Sequence, residues 1–317
     1  MLFSLALLIP FALACLGAES ASYSSVPAIS GKSFRSGPVG AHSLGVWEGD
    51  KPVLVYNFGS ITNELAPRAQ SHSSYIHPIY GLDGEVITGD FPADHVYHRG
   101  LYWAWPHIKV GDAEYDLWSL RGIHSRFVRW LQRETDNDSI MFAVENGWFA
   151  GEKKIMREEV KVRVHRSEAN SRAIDLELSF TPLINPVTLW GAPGKSYGGL
   201  TFRFADRSKT IVTVPSGRAA DDLLMAKLPW ADFSGDFSRA RLSGAAVFVH
   251  PDHPAFPPEW MTRDYGVLAV GYPGVTPKTF PAEETFTLKY RIWVHRGAPE
   301  AREIQKAYDL YRGQSSP

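Results

Sequence analysis

The stretch that decides the fold is TFTLKYRIWVHR, residues 285–296. Its apolar side chains recur at every second position, and successive side chains of a β-strand point to opposite faces. The apolar face would carry Phe286, Leu288, Tyr290, Ile292 and Val294. A strand with one apolar face needs a second layer to cover it, so this pattern predicts a sheet packed against another sheet.

The same period of two recurs in EEVKVRVHR (158–166), AIDLELSF (173–180) and GLTFRF (199–204). Shorter apolar runs between turn-forming residues predict strands buried on both faces. These runs are PVLVYNF, IMFAVE, TIVTV, AAVFVH and GVLAVGY. We therefore predict an all-β fold, an antiparallel β-sandwich that residues 46–313 form as a single domain.

Helical periodicity is convincing in one stretch, APEAREIQKAYDLYRG, residues 298–313. Pro299 is placed for a helix start and Gly313 for a stop. The apolar stripe consists of Ile304, Ala307, Tyr308 and Tyr311. The sequence therefore predicts a short C-terminal helix.

The first eighteen residues are uncharged and mostly apolar, as is typical of an export signal. We predict a signal peptide at residues 1–18, a flexible arm at residues 19–45, and a periplasmic or secreted protein. Cys15 is the only cysteine, and its position after Ala14 leaves a lipoprotein anchor as the alternative. Beyond this segment the sequence predicts no membrane span.

Charge is balanced along the chain, with 33 Lys and Arg against 34 Asp and Glu and a net charge of -1. No basic block is present of the kind that neutralises phosphates. The composition therefore argues against nucleic acid as a partner.

Reactive side chains are concentrated in GDFPADHVYHRGLYWAWPH, residues 89–107. Imidazoles titrate near neutral pH, and a neighbouring carboxylate fixes their tautomer, so this cluster indicates acid–base chemistry. The candidate catalytic residues are Asp94, His95, His98 and Arg99, with His77 as a candidate for substrate binding. The alternative is structural: the acids cap turns and the histidines satisfy buried hydrogen bonds.

A metal site is a competing interpretation of the same segment. His95 and His98 are three residues apart, with Asp94 adjacent, and all three side chains are donors that suit transition metals. Side chains three apart in an extended strand point to opposite faces, so one ion needs a turn or a helix here. We predict no cofactor, with a metal as the alternative.

Two further groups of residues are candidates for binding a substrate. Trp103 and Trp105 share one face of a predicted strand, where their indoles would stack on a sugar ring if that face is open and belong to the core if it is closed. A proline-rich loop in VFVHPDHPAFPPEWMTRDYG, residues 247–266, supplies His250, Glu259, Trp260 and Arg263. These loop residues would complete a cleft over the first cluster, unless the loop is only a solvated surface segment.

Several of these motifs, taken in order, resemble a bacterial family of unknown function of the DUF6807 type, often labelled methane oxygenase (PmoA-like). The motifs are HPIYGLDGEVITGDFPADHVYHRGLYWAW, DLW, GGLTFRF, WADFSG, VFVHPDHPAFPPEWMTRDYG and LKYRIWVHRG. The resemblance runs from about Val53 to Gly297 and implies an exported, mutarotase-like or related β-sandwich. It places the acid-His-His-Arg core of the family on Asp94, His95, His98 and Arg99, with Tyr97 where a second histidine often stands. A methane monooxygenase subunit would need several apolar spans, which this chain lacks.

Our hypothesis from the sequence is an exported carbohydrate-processing enzyme that acts on a sugar or modified glycoside. His98 or His95 would transfer the proton, Asp94 would orient the imidazole, and Arg99 would hold an oxyanion or carboxylate. Trp103, Trp105 and Trp260 would stack on the ring. The alternatives are a glycan-binding module without catalysis and a metal-dependent oxygenase or hydrolase.

Overall fold

Antiparallel β-sheets dominate the computed structural model, which describes residues 33–64, 70–237 and 241–313. The strands in these residues are β1 (Phe34–Pro38), β2 (Ser43–Glu48), β3 (Lys51–Asn57), β4 (Tyr75–Ile79), β5 (Leu101–Ala104), β6 (His107–Val110), β7 (Ala113–Tyr115), β8 (His124–Thr135), β9 (Ser139–Ala150), β10 (Lys153–His165), β11 (Ser171–Pro182), β12 (Val187–Trp190), β13 (Gly199–Arg203), β14 (Ser208–Val214), β15 (Gly217–Arg218), β16 (Leu224–Lys227), β17 (Trp230–Asp236), β18 (Leu242–Val249), β19 (Glu259–Arg263), β20 (Val267–Gly271), β21 (Lys278–Phe280) and β22 (Phe286–Arg296). One helix follows, α1 (Ala301–Arg312). The predicted all-β class and C-terminal helix are confirmed.

The strands form three sheets. The first has the order β1-β2-β3-β4-β5-β13-β20-β19-β16, and the second has the order β15-β14-β17-β18-β22-β11-β10-β9-β8. A third sheet has four strands in the order β21-β12-β6-β7. The middle of the first sheet places β5, β13, β20 and β19 side by side, so segments that are distant in sequence meet at its ends.

The inner faces of the two large sheets form one apolar core. Strands β10, β11 and β22 align their alternating residues in register: Val162 is opposite Leu176, which is opposite Tyr290. All three side chains are buried. Contacts between the sheets include the Trp105 and Trp148 rings, whose centroids lie 5.3 Å apart. The period of two therefore reports the face that each strand turns to the opposite sheet.

Helix α1 packs on the outer face of the second sheet. Tyr308 stands edge-on to Phe248 of β18 at 5.6 Å, and its hydroxyl donates to the carbonyl oxygen of Val249 at 3.1 Å. The backbone N–H of Glu300 donates to the Glu303 carboxylate at 2.9 Å, which satisfies a donor at the N-terminus. Gly313 ends the helix, as predicted.

The prediction of a flexible arm over residues 19–45 is wrong for the part that the structure describes. Phe34–Pro38 and Ser43–Glu48 are paired antiparallel strands of the first sheet. Leu44 and Val46 of the second strand are buried. The Ser- and Gly-rich composition of this segment did not indicate these strands. Backbone hydrogen bonds hold this edge pair together, and such bonds do not depend on residue type.

The predicted signal segment, including Cys15, lies outside the described residues. Within the described part of the chain, no helix has the length and apolar character needed to cross a membrane.

Candidate active site

The turn of residues 90–99 leads into β5 and is stabilised by the Arg99 side chain. The Arg99 guanidinium is buried and donates hydrogen bonds to the backbone carbonyl oxygens of Gln70, Val96 and His98. Its Cζ lies 3.4 Å from the centre of the Phe91 ring. The prediction that Arg99 holds a substrate anion is therefore wrong, because these contacts use the guanidinium to fix the turn.

Asp90 is the buried acid of this turn. Its carboxylate accepts a hydrogen bond from the Tyr75 hydroxyl at 3.0 Å and lies 3.9 Å from Arg99 Nε. Burial raises the pKa of Asp90 to about 6, although Arg99 and Tyr75 both oppose this shift. Asp90 is therefore part of the support of the turn.

Asp94 and His95 form the acid–imidazole pair that the sequence predicted. The Asp94 carboxylate lies 3.1 Å from Nδ1 of His95 and accepts from Arg203 Nη2 at 2.8 and 2.9 Å. Burial opposes ionisation, but the close contact with His95 and the hydrogen bonds from Arg203 hold the pKa of Asp94 below its usual range. Because an ionised carboxylate can only accept, it selects the tautomer of His95 that carries its proton on Nδ1.

The His95 ring is clamped between two other rings. It stacks on His98 at 4.7 Å with an interplanar angle of 4°, and on Tyr265 at 5.2 Å with an angle of 11°. Its side chain remains 30% exposed. Nδ1 lies close to the Asp94 carboxylate but does not meet hydrogen-bond geometry, and no hydrogen bond to Nε2 is present within the described residues. The stacked rings thus fix the orientation of the imidazole, with Nδ1 toward Asp94 and Nε2 available.

His98 lies beneath His95 and is almost fully buried. Burial, together with unfavourable electrostatic interactions with His95 and Arg203, lowers the pKa of His98 to about 3. His98 is therefore neutral near physiological pH, and of the two predicted proton carriers the exposed His95 is the one a ligand can reach.

Aromatic rings surround the pair. Tyr97 stands edge-on to His95 at 5.7 Å and to His98 at 5.1 Å. Trp118 stands edge-on to His98 at 5.7 Å and contacts Tyr197 at 4.5 Å. These rings form an aromatic wall beside the two histidines, and tyrosines form its accessible part.

Buried polar atoms are concentrated under this wall. In the described residues, the hydroxyls of Tyr102 and Thr201 and Nδ1 of His98 are buried and have no hydrogen-bond partner from the protein. Tyr102 and Thr201 are directly opposite each other on β5 and β13. Unpartnered buried polar groups are costly, and they are common at functional sites.

Three tryptophans predicted to stack on a sugar are buried instead. Trp103 and Trp105 turn to the inner face of the first sheet, where Trp105 packs on Trp148 and Phe180 at 5.3 and 5.2 Å. Trp260 is also fully buried. These stacking assignments are wrong, because the second sheet or neighbouring loops cover each indole.

The proline-rich loop reaches the site only at its far end. The turn between β19 and β20 brings Tyr265 onto His95, and Arg263 lies beside it, 3.7 Å from Asp222. Glu259 is at the other end of β19, where it accepts from the Ser196 hydroxyl at 2.6 Å. The His250 ring lies against Tyr311 of α1, at 5.4 Å. Glu259 and His250 are therefore not in the cluster around His95.

His77 lies on β4, near Arg99, which fixes the turn of residues 90–99. Its Nδ1 is 2.9 Å from the Thr88 hydroxyl. Burial, with the charge of Arg99, lowers the pKa of His77 to about 4. Its role in substrate binding stays a prediction, as does that of Arg263.

The rings of His95 and His98 are not arranged as a pair of ligands to one ion. They are parallel, so the lone pairs in the two ring planes do not converge. Across the described residues, no three His, Cys, Asp or Glu side chains come together in a way that could hold a metal ion.

Sequence reasoning missed three residues of the site, namely Tyr197, Arg203 and Tyr265. Arg203 and Thr201 do alternate with Phe202 and Phe204 in GLTFRF, which marks them as residues of the outer face. Tyr265 ends the motif that also supplies Arg263. The missing information was the strand order, which places the end of β13 and the β19–β20 turn beside residues 94–95.

A family model described as a family of unknown function (DUF6807) matches residues 44–309 of the chain. That description carries no methane oxygenase label. No curated protein matches the sequence. Among solved structures, the chain is similar to the GalM/aldose epimerase homologue from C. elegans, with 8% identity and a TM-score of 0.35 over 83% of this chain and 98% of that one.

Proposed function

The chain belongs to the family of unknown function DUF6807, and we propose that it is a carbohydrate-processing enzyme that uses His95 and Asp94 for acid–base chemistry on a sugar or modified glycoside. The observation that carries this proposal is the orientation of His95. The Asp94 carboxylate lies 3.1 Å from Nδ1, His98 and Tyr265 clamp the ring, and Nε2 is left without a partner in the described residues.

The chemistry follows from this geometry. Nε2 of His95 takes a proton from a ligand hydroxyl, and the resulting imidazolium is stabilised by the Asp94 carboxylate. The same nitrogen then returns the proton to another oxygen of the ligand. Arg203 keeps Asp94 ionised and in place, because both carboxylate oxygens accept from its Nη2. We also propose that the protein acts outside the cytoplasm, which the uncharged apolar segment at residues 1–18 supports.

The test compares two His–Asp–Arg clusters of the same chain. The purified protein is incubated with free pyranoses and aryl glycosides, and NMR follows anomeric exchange, epimerisation, elimination and hydrolysis. His95→Asn keeps a donor toward Asp94 but removes the nitrogen that would take up the proton, so we expect conversion to fall about 100-fold or more. His165→Asn is the matched control, because His165 lies 2.6 Å from Asp175, which also pairs with Arg291, on the second sheet.

Each outcome decides the matter. Loss of conversion in His95→Asn and Asp94→Asn, with full activity in His165→Asn, supports the enzyme. Unchanged conversion in His95→Asn contradicts the assignment. Sugar binding without conversion by the parent protein contradicts an enzyme and supports a glycan-binding module, and the absence of any binding contradicts both.

A further inference from the structure

We propose that Tyr97, Tyr197 and Tyr265 form the wall of a subsite that binds a neutral, hydroxyl-rich sugar ring over His95, in preference to a sugar acid. This inference rests on the proposed function, because it names the substrate class of the same site.

Accessibility separates these tyrosines from the other aromatic residues of the region. Tyr265 is 36% exposed, and Tyr97 and Tyr197 are half-buried. Trp103 and Trp105, in contrast, are closed off in the core. A ligand that approaches His95 therefore meets phenol rings first, and a phenol offers both an apolar face and a polar edge.

The three rings are held in place before a ligand arrives. Tyr265 is parallel to His95, and Tyr97 is perpendicular to it. Tyr197 packs on Trp118 and on a small apolar patch formed by Met261, Val267 and Ala269. Rings that are already ordered lose little conformational freedom on binding, which favours a rigid ligand such as a pyranose.

The three phenol groups lie near one another and remain protonated. Burial raises the pKa of Tyr97, Tyr197 and Tyr265. Tyr97 lies close enough to contribute to the raised pKa of both other tyrosines. No hydrogen bond to any of the three hydroxyls is present in the described part of the chain. Each can therefore donate to, or accept from, a sugar hydroxyl.

The charges beside the wall disfavour an anionic ligand. Arg203 is paired with Asp94 through Nη2, and its Nε and Nη1, which have no partner in the described residues, are buried away from a ligand. Arg263 donates to the carbonyl oxygen of Thr262 and lies 3.7 Å from Asp222. Asp94 contributes a negative charge, and Asp116 lies close enough to raise the pKa of Tyr97 and Tyr197. A carboxylate on the ligand would meet acids, and cations that are paired or buried, so a neutral ring is favoured.

The experiment uses sugars that differ only at C6. Methyl glycopyranosides of glucose, galactose and mannose are titrated by calorimetry and NMR beside the corresponding methyl glycuronosides. We expect the neutral member to bind more tightly. Tyr97→Phe, Tyr197→Phe and Tyr265→Phe should each weaken its binding about 2- to 10-fold, which corresponds to one lost hydrogen bond. Tyr265→Ala should weaken it further, because it also removes the ring.

Tyr80→Phe is the matched control, since Tyr80 is half-buried near Val86, away from the cluster. Tighter binding of the uronates overturns the substrate class, and phenylalanine variants that bind like the parent overturn the wall. Both results leave the proposed enzyme standing if His95→Asn still abolishes conversion. If no sugar of either set binds, the wall and the proposed function fall together.

Discussion

At the scale of single residues, burial keeps the His253 imidazole neutral near pH 7, which its position in a proline-rich loop does not suggest. Its Nδ1 accepts from the backbone N–H of Ala255 at 3.2 Å, and Nε2 lies 3.3 Å from the Tyr290 hydroxyl. Burial lowers the pKa of His253 to about 4. Protonation of Nδ1 would remove the acceptor of the Ala255 N–H, so the neutral ring stabilises the loop.

The pH dependence of stability follows from this depressed pKa. The unfolded chain binds a proton near pH 6.5 and the folded chain near pH 4, so the stabilisation is complete above about pH 6.5 and is lost as pH falls toward 4. His253 should account for about 2 kcal/mol of the fall in unfolding free energy between pH 7 and pH 5. His253→Asn keeps an acceptor for the backbone but does not titrate, so this fall should be smaller by that amount in urea unfolding. An equal fall in parent and variant would contradict the prediction.

At the scale of elements, the turn of residues 90–99 depends on one side chain rather than on regular secondary structure. Arg99 satisfies three backbone carbonyl oxygens and balances the charge of Asp90. The same turn carries Asp94, His95 and His98. Arg99, which the sequence suggested as a catalytic residue, is thus a buried cation that supports the catalytic candidates.

Replacing Arg99 with Met should destabilise the turn of residues 90–99. It leaves the carbonyl oxygens of Gln70 and Val96 without a donor, takes one of two donors from the carbonyl oxygen of His98, and leaves Asp90 without its cation. We therefore expect a loss of about 3–5 kcal/mol in unfolding free energy. Arg99→Lys should recover only part of it, because an ammonium group lacks the planar fork. Arg129→Met is the control: Arg129 pairs with Glu145 but is largely exposed, and its loss should cost at most about 1 kcal/mol. Comparable losses in Arg99→Met and Arg129→Met would refute the role of Arg99.

At the element scale, the sequence predicted the burial of a strand correctly where that strand lies inside a sheet. The alternation in β10, β11 and β22 was sufficient because each of these strands lies inside the second sheet, with one face on the core. TIVTV was predicted to be buried on both faces, but Ile211 and Val212 of β14 are only half-buried. Strand β14 lies next to the edge, and only the two-residue strand β15 lies beyond it, so its apolar residues are covered incompletely.

At the scale of the whole molecule, the two large sheets are joined by aromatic residues. Trp105 contacts Trp148 and Phe180 of the second sheet, and its indole N–H donates to the carbonyl oxygen of Tyr272. The buried carboxyl of Glu158 accepts from the Trp148 indole at 2.7 Å and from Asn146 at 2.9 Å. The interior thus contains the polar contacts that its large aromatic rings require.

Trp105→Ala should test this interpretation against the stacking role that the sequence predicted. We expect a loss of about 3–5 kcal/mol in unfolding free energy, because a large cavity is left between the sheets. Trp105→Phe should lose less and should bind sugars as the parent does. Loss of sugar binding in Trp105→Phe without loss of stability would contradict the core role.

The sequence by itself determined the strands with a clear period of two, the helix and the neighbouring pair of Asp94 and His95, because periodicity and adjacency are local properties of a chain. Only the tertiary structure decided that Trp103, Trp105 and Trp260 are closed off and that Arg99 supports rather than binds. It also decided that Arg203, 109 residues away from Asp94, completes the pair, and that Tyr265 clamps His95. The physical reason is that burial and contact between distant segments depend on strand order, and one strand's composition does not encode which strand lies beside it.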